Sequence, residues 1–200
     1  MTITKLLKNS WLHLKKIITH KYYVAKYCFK VGLYWQGIIH DMSKFSPTEF
    51  LESIKYYVGT SSPIDACKKD KGYSLAWFHH RGRNYHHYEM WIDNFNNGGV
   101  ALLMPKKYAY EMACDYVGAA KSYMGANFTW SGELKWWNVK KQKAKMHEKI
   151  VSFLSITFET MATYEQFNPG KADKFFDKTL LDNAWEYAMS SLDRNEETLE

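Results

Sequence analysis

The chain has 200 residues, 46% of them apolar and 17% aromatic, and its 27 basic against 21 acidic side chains leave a net charge of +6. This length and apolar content support one domain with a full core and exclude a disordered chain. Cys28, Cys67 and Cys114 are widely spaced with no C-x-x-C pair, which excludes a disulfide framework and a thiolate zinc site, and no apolar run nears the roughly 18 residues that cross a bilayer. A reduced, cytoplasmic chain is the expectation.

Over residues 3–18, Leu6, Leu7, Trp11, Leu14, Ile17 and Ile18 form one apolar stripe, and Tyr23, Val24, Tyr27 and Val31 form the next over 20–31. This spacing predicts a helical pattern over 3–18 that continues over 20–31 and is broken by Gly32. A short apolar helix then delivers His40-Asp41. Ser46-Pro47-Thr48-Glu49 reads as an N-cap, a proline at the first helical position and an acidic first turn, for a helix to about Val58. Gly59 to Gly72 reads as a loop and a candidate substrate lid.

Tyr73 to His80 reads as a short helix, Arg81 to Asn84 as a turn, and His86 to about Asn94 as another helix. Asn96-Asn97-Gly98-Gly99 breaks the chain before Pro105 opens a long helix to about Tyr123, with Tyr108, Met112, Asp115 and Ala119 on one stripe. Met146, Ile150, Phe153, Leu154, Phe158 and Met161 give one further apolar face. Phe176, Leu180, Ala184, Tyr187 and Ala188 give another after Asn168-Pro169-Gly170. No strand alternation is present, so the expected fold is a single all-α domain over 1–200.

Charge is uneven along the chain: residues 1–30 hold seven lysines and no acid, Lys140-Lys141-Gln142-Lys143-Ala144-Lys145 forms a second basic cluster, and the tail SLDRNEETLE is acidic. Aromatics at core-like spacings among the lysines favour solvated helix faces over a nucleic-acid surface. Trp77, Tyr88, Trp91, Trp136 and Trp137 are accordingly expected to pack the core rather than stack a nucleobase, and Cys114 to be a small buried residue.

Six of the eight histidines lie between residues 20 and 87. Imidazole and carboxylate together suit borderline divalent metals, and a carboxylate such as Asp115 on an apolar stripe is costly unless paired or coordinated. The expected ligands are His20, His40, Asp41, His80, His87 and Asp115. Adjacent helical residues point about 100° apart, so only part of His79-His80 and His86-His87 can converge. His79 and His86, with Arg81 and Arg83, are expected on the substrate, since guanidinium binds phosphate bidentately. Asp41 and Lys44, three residues apart, are the expected catalytic pair. Glu111, one turn before Asp115, reads as a ligand-orienting partner or general base, or as half of an ordinary salt bridge; His13 and His147, among lysines, read as surface residues.

The order His20, His40-Asp41, Asp115 resembles the H…HD…D signature of the HD-domain superfamily of metal-dependent phosphohydrolases. HDMSK resembles the HD-x-x-K form of the HD-GYP branch, in which the lysine approaches the scissile phosphate, and His79-His80 resembles that branch's paired histidines, which help hold a second metal. The string HHRGRNYHHYE is also similar to one in a family of bacterial and phage proteins. Unlike HD-GYP members, the chain has no Gly-Tyr-Pro motif and no histidine between Asp41 and His79.

The resemblance covers about residues 15–125 and implies a compact HD-like helical bundle, with further helices over about 140–192 outside it. It implies a divalent metal, whether Mn, Fe, Zn, Ni, Co or Mg, and hydrolysis of a nucleotide or related phosphoester. The expected partner is a phosphorylated small molecule, foremost a nucleotide, rather than nucleic acid or a membrane. The alternative is a non-catalytic helical nucleotide- or nucleic-acid-binding protein with a structural metal. Lys44, Arg81 and Arg83 favour the hydrolase, because a closed structural site needs no phosphate-binding cations.

Overall fold

Residues Ile3–Lys30 form one uninterrupted helix, α1, in the computed structural model, which describes residues 2–196 and the side chains of 2–191. No glycine or proline breaks the run, and the Thr2 hydroxyl caps the Lys5 amide at 3.3 Å. The run that continues to Gly32 in the sequence is thus a single helix. Its buried face also differs from the expected stripe. Asn9, His13, Ile17, His20, Val24, Tyr27 and Cys28 point inward, whereas Leu6, Leu7, Trp11 and Ile18 are exposed. The polar members of the inner face find partners there: Asn9 donates its amide to the Ile54 carbonyl at 3.0 Å. Periodicity alone counts polarity and cannot see such partners.

After Gly32, α2 (Tyr34–Ile39) packs back on α1, with Gly37 so close to Cys28 and Phe29 that a Cβ would stand 3.0 Å from each. Asp41 then adopts left-handed backbone, φ 56°, and starts a 3-10 turn over Met42–Phe45. Ser46 and Pro47 open α3 (Pro47–Lys55) as the sequence indicates.

The expected loop 59–72 instead contains α4 (Pro63–Lys71). Pro63 sits at the first helical position, Asp65 in the first turn, lysines in the last turn, and Gly72 closes it at φ 80°. These are the same start signals that mark α3. In α5 (Leu75–Arg81) the first turn is held by Ser74 and by Glu52, which accepts from the Ala76 amide at 3.0 Å.

The expected helix 86–94 is absent. A 3-10 turn, Tyr88–Trp91, leads into a short hairpin in which β1 (Ile92–Asp93) pairs antiparallel with β2 (Val100–Ala101). Asn94 at φ 55° and Gly98 and Gly99 near φ 78° impose the reversal that a helix could not tolerate.

Helix α6 (Lys106–Met124) packs along α1, and α7 (Trp130–Lys140), α8 (Glu148–Phe167) and α9 (Lys178–Glu196) build the rest of the core. The all-α bundle is as expected, with α7 added. Thr129 caps α7, and Trp130 and Trp137 bury their rings. Trp130 stacks on Phe176, and Tyr110 on Phe153 with rings 5.5 Å apart. In α9, Leu181 and Trp185 enter the core while Tyr187 faces outward, against expectation. Among the described residues, no helix is long and apolar enough to cross a membrane. The acidic tail lies largely outside the side chains described.

Candidate metal centre

Four elements deliver one buried cluster. His20 comes from the middle of α1, His40 and Asp41 from the end of α2, His80 from α5, and Asp115 from α6. His86 and His87 come from the turn that precedes Tyr88–Trp91. The left-handed turn at Asp41 lets two adjacent side chains reach inward together.

His20 Nε2 lies 3.1 Å from Asp41 Oδ2 and 3.2 Å from Asp115 Oδ1. His40 Nε2 lies 3.3 and 3.4 Å from the same two oxygens. Asp41 Oδ1 turns to a second group, 3.3 Å from His80 Nε2 and 3.5 Å from His86 Nε2, with His87 completing the set. Within each set the ligand atoms lie within 4.8 Å of one another. Ligands about 2.1 Å from a common ion stand roughly 3–4 Å apart, so both sets have metal-site dimensions. The two sets share Asp41, one oxygen each.

Unsatisfied atoms support the same fit. His40 Nε2, Asp41 Oδ1, His86 Nε2 and His87 Nε2 are buried without a hydrogen-bond partner among the described residues. Orphaned buried acceptors are costly in a protein interior, and a cation satisfies several at once. Buried His, Asp and Glu side chains thus stand within metal-binding distance.

Two further carboxylates aim the rings. Glu111 accepts from His40 Nδ1 at 2.9 Å and from His86 Nδ1 at 3.1 Å, which leaves both Nε2 atoms facing the cluster. Glu111 with His40 and His86 also forms a third group close enough to hold a metal ion. Glu49 accepts from His80 Nδ1 at 2.8 Å and from His79 Nδ1 at 2.6 Å. Its position in the first turn of α3 gives no hint of this in the sequence. Asn84 adds a bond of 2.7 Å to the His80 carbonyl, and Lys21 donates to the carbonyls of Ile38 and His40, fixing the end of α2.

Electrostatics follow from burial and countercharge. Burial alone would lower the His40 and His80 pKa values, but Asp41 and the surrounding carboxylates outweigh it and raise both. Burial also works against ionised Asp41 and Asp115, yet His40, Lys44 and His80 beside Asp41, and hydrogen bonds from His20 and His40 to Asp115, hold both well below the usual carboxylate range. His87 goes the other way: burial, then His86 and His80, depress it, so its ring is neutral. Carboxylates that hold protons on His40 and His80 equally favour a divalent cation, and metal binding competes with those protons.

Lys44 Nζ contacts Asp41 Oδ2 directly and borders a cavity of about 220 Å³. His20, His80, His87 and Asp115 line that cavity, together with Ile17, Trp77 and Tyr123. The first residues of α4, Ser62 to Ile64, line it as well, so part of the segment read as a lid borders it as a helix start. His13 lines it too, buried against Phe50 and Tyr57 rather than on the surface, with a pKa lowered to about 4 by burial and by Lys44.

Of the residues expected on substrate, His86 and Arg83 line one cavity together, and His79 and Arg81 border neither of the two. His86 is buried among the ligand atoms, and His79 holds Glu49 instead of facing the cavity. Arg81 ends α5 and lies over the Phe78 ring at 5.3 Å, bordering neither this cavity nor the next. Arg83 is exposed and borders a second cavity of about 660 Å³ with Trp35, Tyr85, Tyr108 and Lys107, on the side of Glu111. His40 and His86 line that second cavity as well, so Arg83 shares it with two residues of the cluster.

No curated protein and no solved structure matches the chain. A family profile does match it, over residues 9–160, a span that takes in every side chain of the cluster. The chain therefore belongs to DUF5662, a family of unknown function.

Proposed function

We propose that the protein is a metal-dependent phosphohydrolase of HD type, acting on a nucleotide or related phosphoester whose phosphoryl end enters the smaller cavity. The observation that carries this reading is the division of Asp41 between two imidazole-rich sets, with Lys44 beside it at the cavity wall. His20, His40, Asp41 and Asp115 would hold one ion, and Asp41 with His80, His86 and His87 a second. A mixed set rich in imidazole suits Mn, Fe, Co, Ni or Zn better than Mg, which prefers oxygen ligands and retained water.

Divalent ions bound there would lower the pKa of a water ligand towards neutrality and offset charge on a phosphoryl oxygen. The chain's own groups do the rest. Lys44 supplies positive charge where a phosphoryl oxygen would lie, and its pairing with Asp41 keeps it protonated, overriding the effect of burial. Glu111 and Glu49 fix the imidazoles so that no reorientation is needed during turnover. Trp77, Ile17 and Tyr123 give part of the cavity an apolar lining. A volume of about 220 Å³ lies below the roughly 300 Å³ of ordinary small-molecule sites, so a base or other bulky group of the substrate stays outside.

A second reading, a non-catalytic nucleotide-binding protein with a structural metal, is favoured by the larger cavity, where Arg83 and Lys107 accompany three aromatic rings. Metal analysis of protein purified without chelator, then a phosphoester screen with added manganese, separates the two. Metal with turnover is the expected result. Metal without turnover on any phosphoester supports the second reading, and no bound metal overturns both.

A further inference from the structure

An apolar stripe on α1 faces away from the core along most of the helix. Ile3, Leu7, Trp11, Leu14, Ile18, Tyr22, Ala25 and Phe29 recur in steps of four, four and three, close to the helical repeat, so they run nearly straight along the axis within about 100° of arc. Ile3 is 77% exposed, Leu7 66%, Trp11 67%, Ile18 56% and Tyr22 63%. Helix α2 extends the surface: the Tyr34 ring lies 5.5 Å from Phe29, and Tyr34, Trp35 and Ile38 are exposed. An apolar face of this extent on a folded chain marks a contact surface.

Its charge selects the partner. Lys8, Lys15 and Lys26 line one edge of the stripe, Lys5 and Lys30 lie further round on the same side, and α1 contains no acid. A second copy of the chain would set lysine-rich helices against each other. It would also bury little: a helix of 28 residues is about 42 Å long, and a strip about 10 Å wide gives about 840 Å² over both partners, short of the roughly 1,200–2,000 Å² of stable interfaces. An anionic bilayer answers both features. It takes up leucine and isoleucine below the headgroups, seats tryptophan and tyrosine at headgroup depth, and attracts lysine along the edge.

We propose that α1 and α2 form a peripheral docking surface for anionic lipid, with α1 lying in the plane of the membrane interface. His13, Ile17 and His20, on the other side of the same helix, line the smaller cavity, so docking leaves that cavity uncovered, while Trp35 also borders the larger one. This surface is independent of the metal reading and stands without it.

The test is co-sedimentation of the full chain with vesicles of pure phosphatidylcholine and of phosphatidylcholine with a minority of phosphatidylglycerol. Partitioning about tenfold stronger onto the anionic vesicles, weakened by added salt, is expected. Trp11→Glu should reduce it about tenfold, and Lys8→Glu with Lys15→Glu should remove the preference for phosphatidylglycerol. All three side chains are exposed or at the helix edge, so thermal melting should stay as in the wild type. Failure to sediment with either vesicle overturns the proposal, as does binding unchanged in Trp11→Glu. A dimer in analytical ultracentrifugation that Trp11→Glu dissociates, without vesicle binding, assigns the stripe to a second copy instead.

Discussion

Gly118 of α6 meets Val24 of α1 so closely that an added Cβ would stand 2.4 Å from Val24 Cγ2 and 3.0 Å from its backbone nitrogen. Each lies about one turn from a cluster residue on its own helix, His20 on α1 and Asp115 on α6, whose side chains come within 3.2 Å. Close approach of the backbones is thus what brings imidazole and carboxylate together.

Gly118→Ala should therefore damage packing and site together. Backbone cannot move aside as a flexible side chain can, so the substitution should cost about 1–3 kcal/mol, read by denaturant unfolding. Metal affinity should fall in the same variant, measured by titration below the unfolding range. Stability lost with metal affinity intact would show that the helix crossing does not set the His20–Asp115 distance.

Asp41 and Lys44 should separate metal binding from transition-state stabilisation. Asp41→Ala removes an oxygen from both sets and should abolish metal content and turnover together. Lys44→Ala should retain metal, yet lower kcat by a factor corresponding to about 2–4 kcal/mol, because charge at this position counts most as phosphoryl oxygens grow more negative. Turnover unchanged in Lys44→Ala, on a substrate found in the screen, would remove the lysine from the mechanism.

Glu111 hydrogen-bonds the rings of His40 and His86, two of the proposed ligands. Glu111→Ala should weaken metal affinity about 10–100-fold while the chain remains folded, as judged by its circular dichroism. Glu111→Gln keeps an acceptor oxygen for one ring and should fall between that variant and the wild type. Equal affinity in all three proteins would show that the rings are held by packing alone.

Glu133 is buried in α7 with Oε1 unpartnered, and burial, then Asp115, push its pKa up to about 8. A raised folded-state pKa means that its contribution to stability is complete below about 4.5 and is lost as pH rises through 8, since unfolding releases the proton. Glu133→Gln has no proton to release. Its melting temperature should exceed that of the wild type by a margin that widens from pH 4.5 to 8 and then levels, on a scale of a few kcal/mol. A constant margin across that range would show that Glu133 is ionised in the folded chain.

Much of the helical framework and the chemical identity of the site are legible in the sequence, because both depend on neighbours in the chain. Ser46-Pro47 starts α3 and Pro105 precedes α6 through backbone restrictions that act locally. His40-Asp41 stands out because an imidazole and a carboxylate end an otherwise apolar segment. The same local rules, applied to Ser62-Pro63-Ile64-Asp65 and Gly72, would have identified α4. Helix α7 buries Trp130 and Trp137 beside Glu133, with Leu134 partly buried, too little contrast for periodicity to register.

What the sequence determines here is an all-α chain bearing the residue types of a His and carboxylate metal site. Tertiary structure alone decides which face of each helix is inside, and hence which of those residues meet. It turns Trp11 and Leu7 outward and His13 and His20 inward, puts His86 among the ligand atoms and His79 on Glu49, and carries Arg81 and Arg83 away from the smaller cavity. The physical reason is that a buried polar group is tolerated only when its partner arrives from elsewhere in the chain. For His20 that partner is Asp115, 95 positions later and on another helix, brought within reach by the contact between Gly118 and Val24.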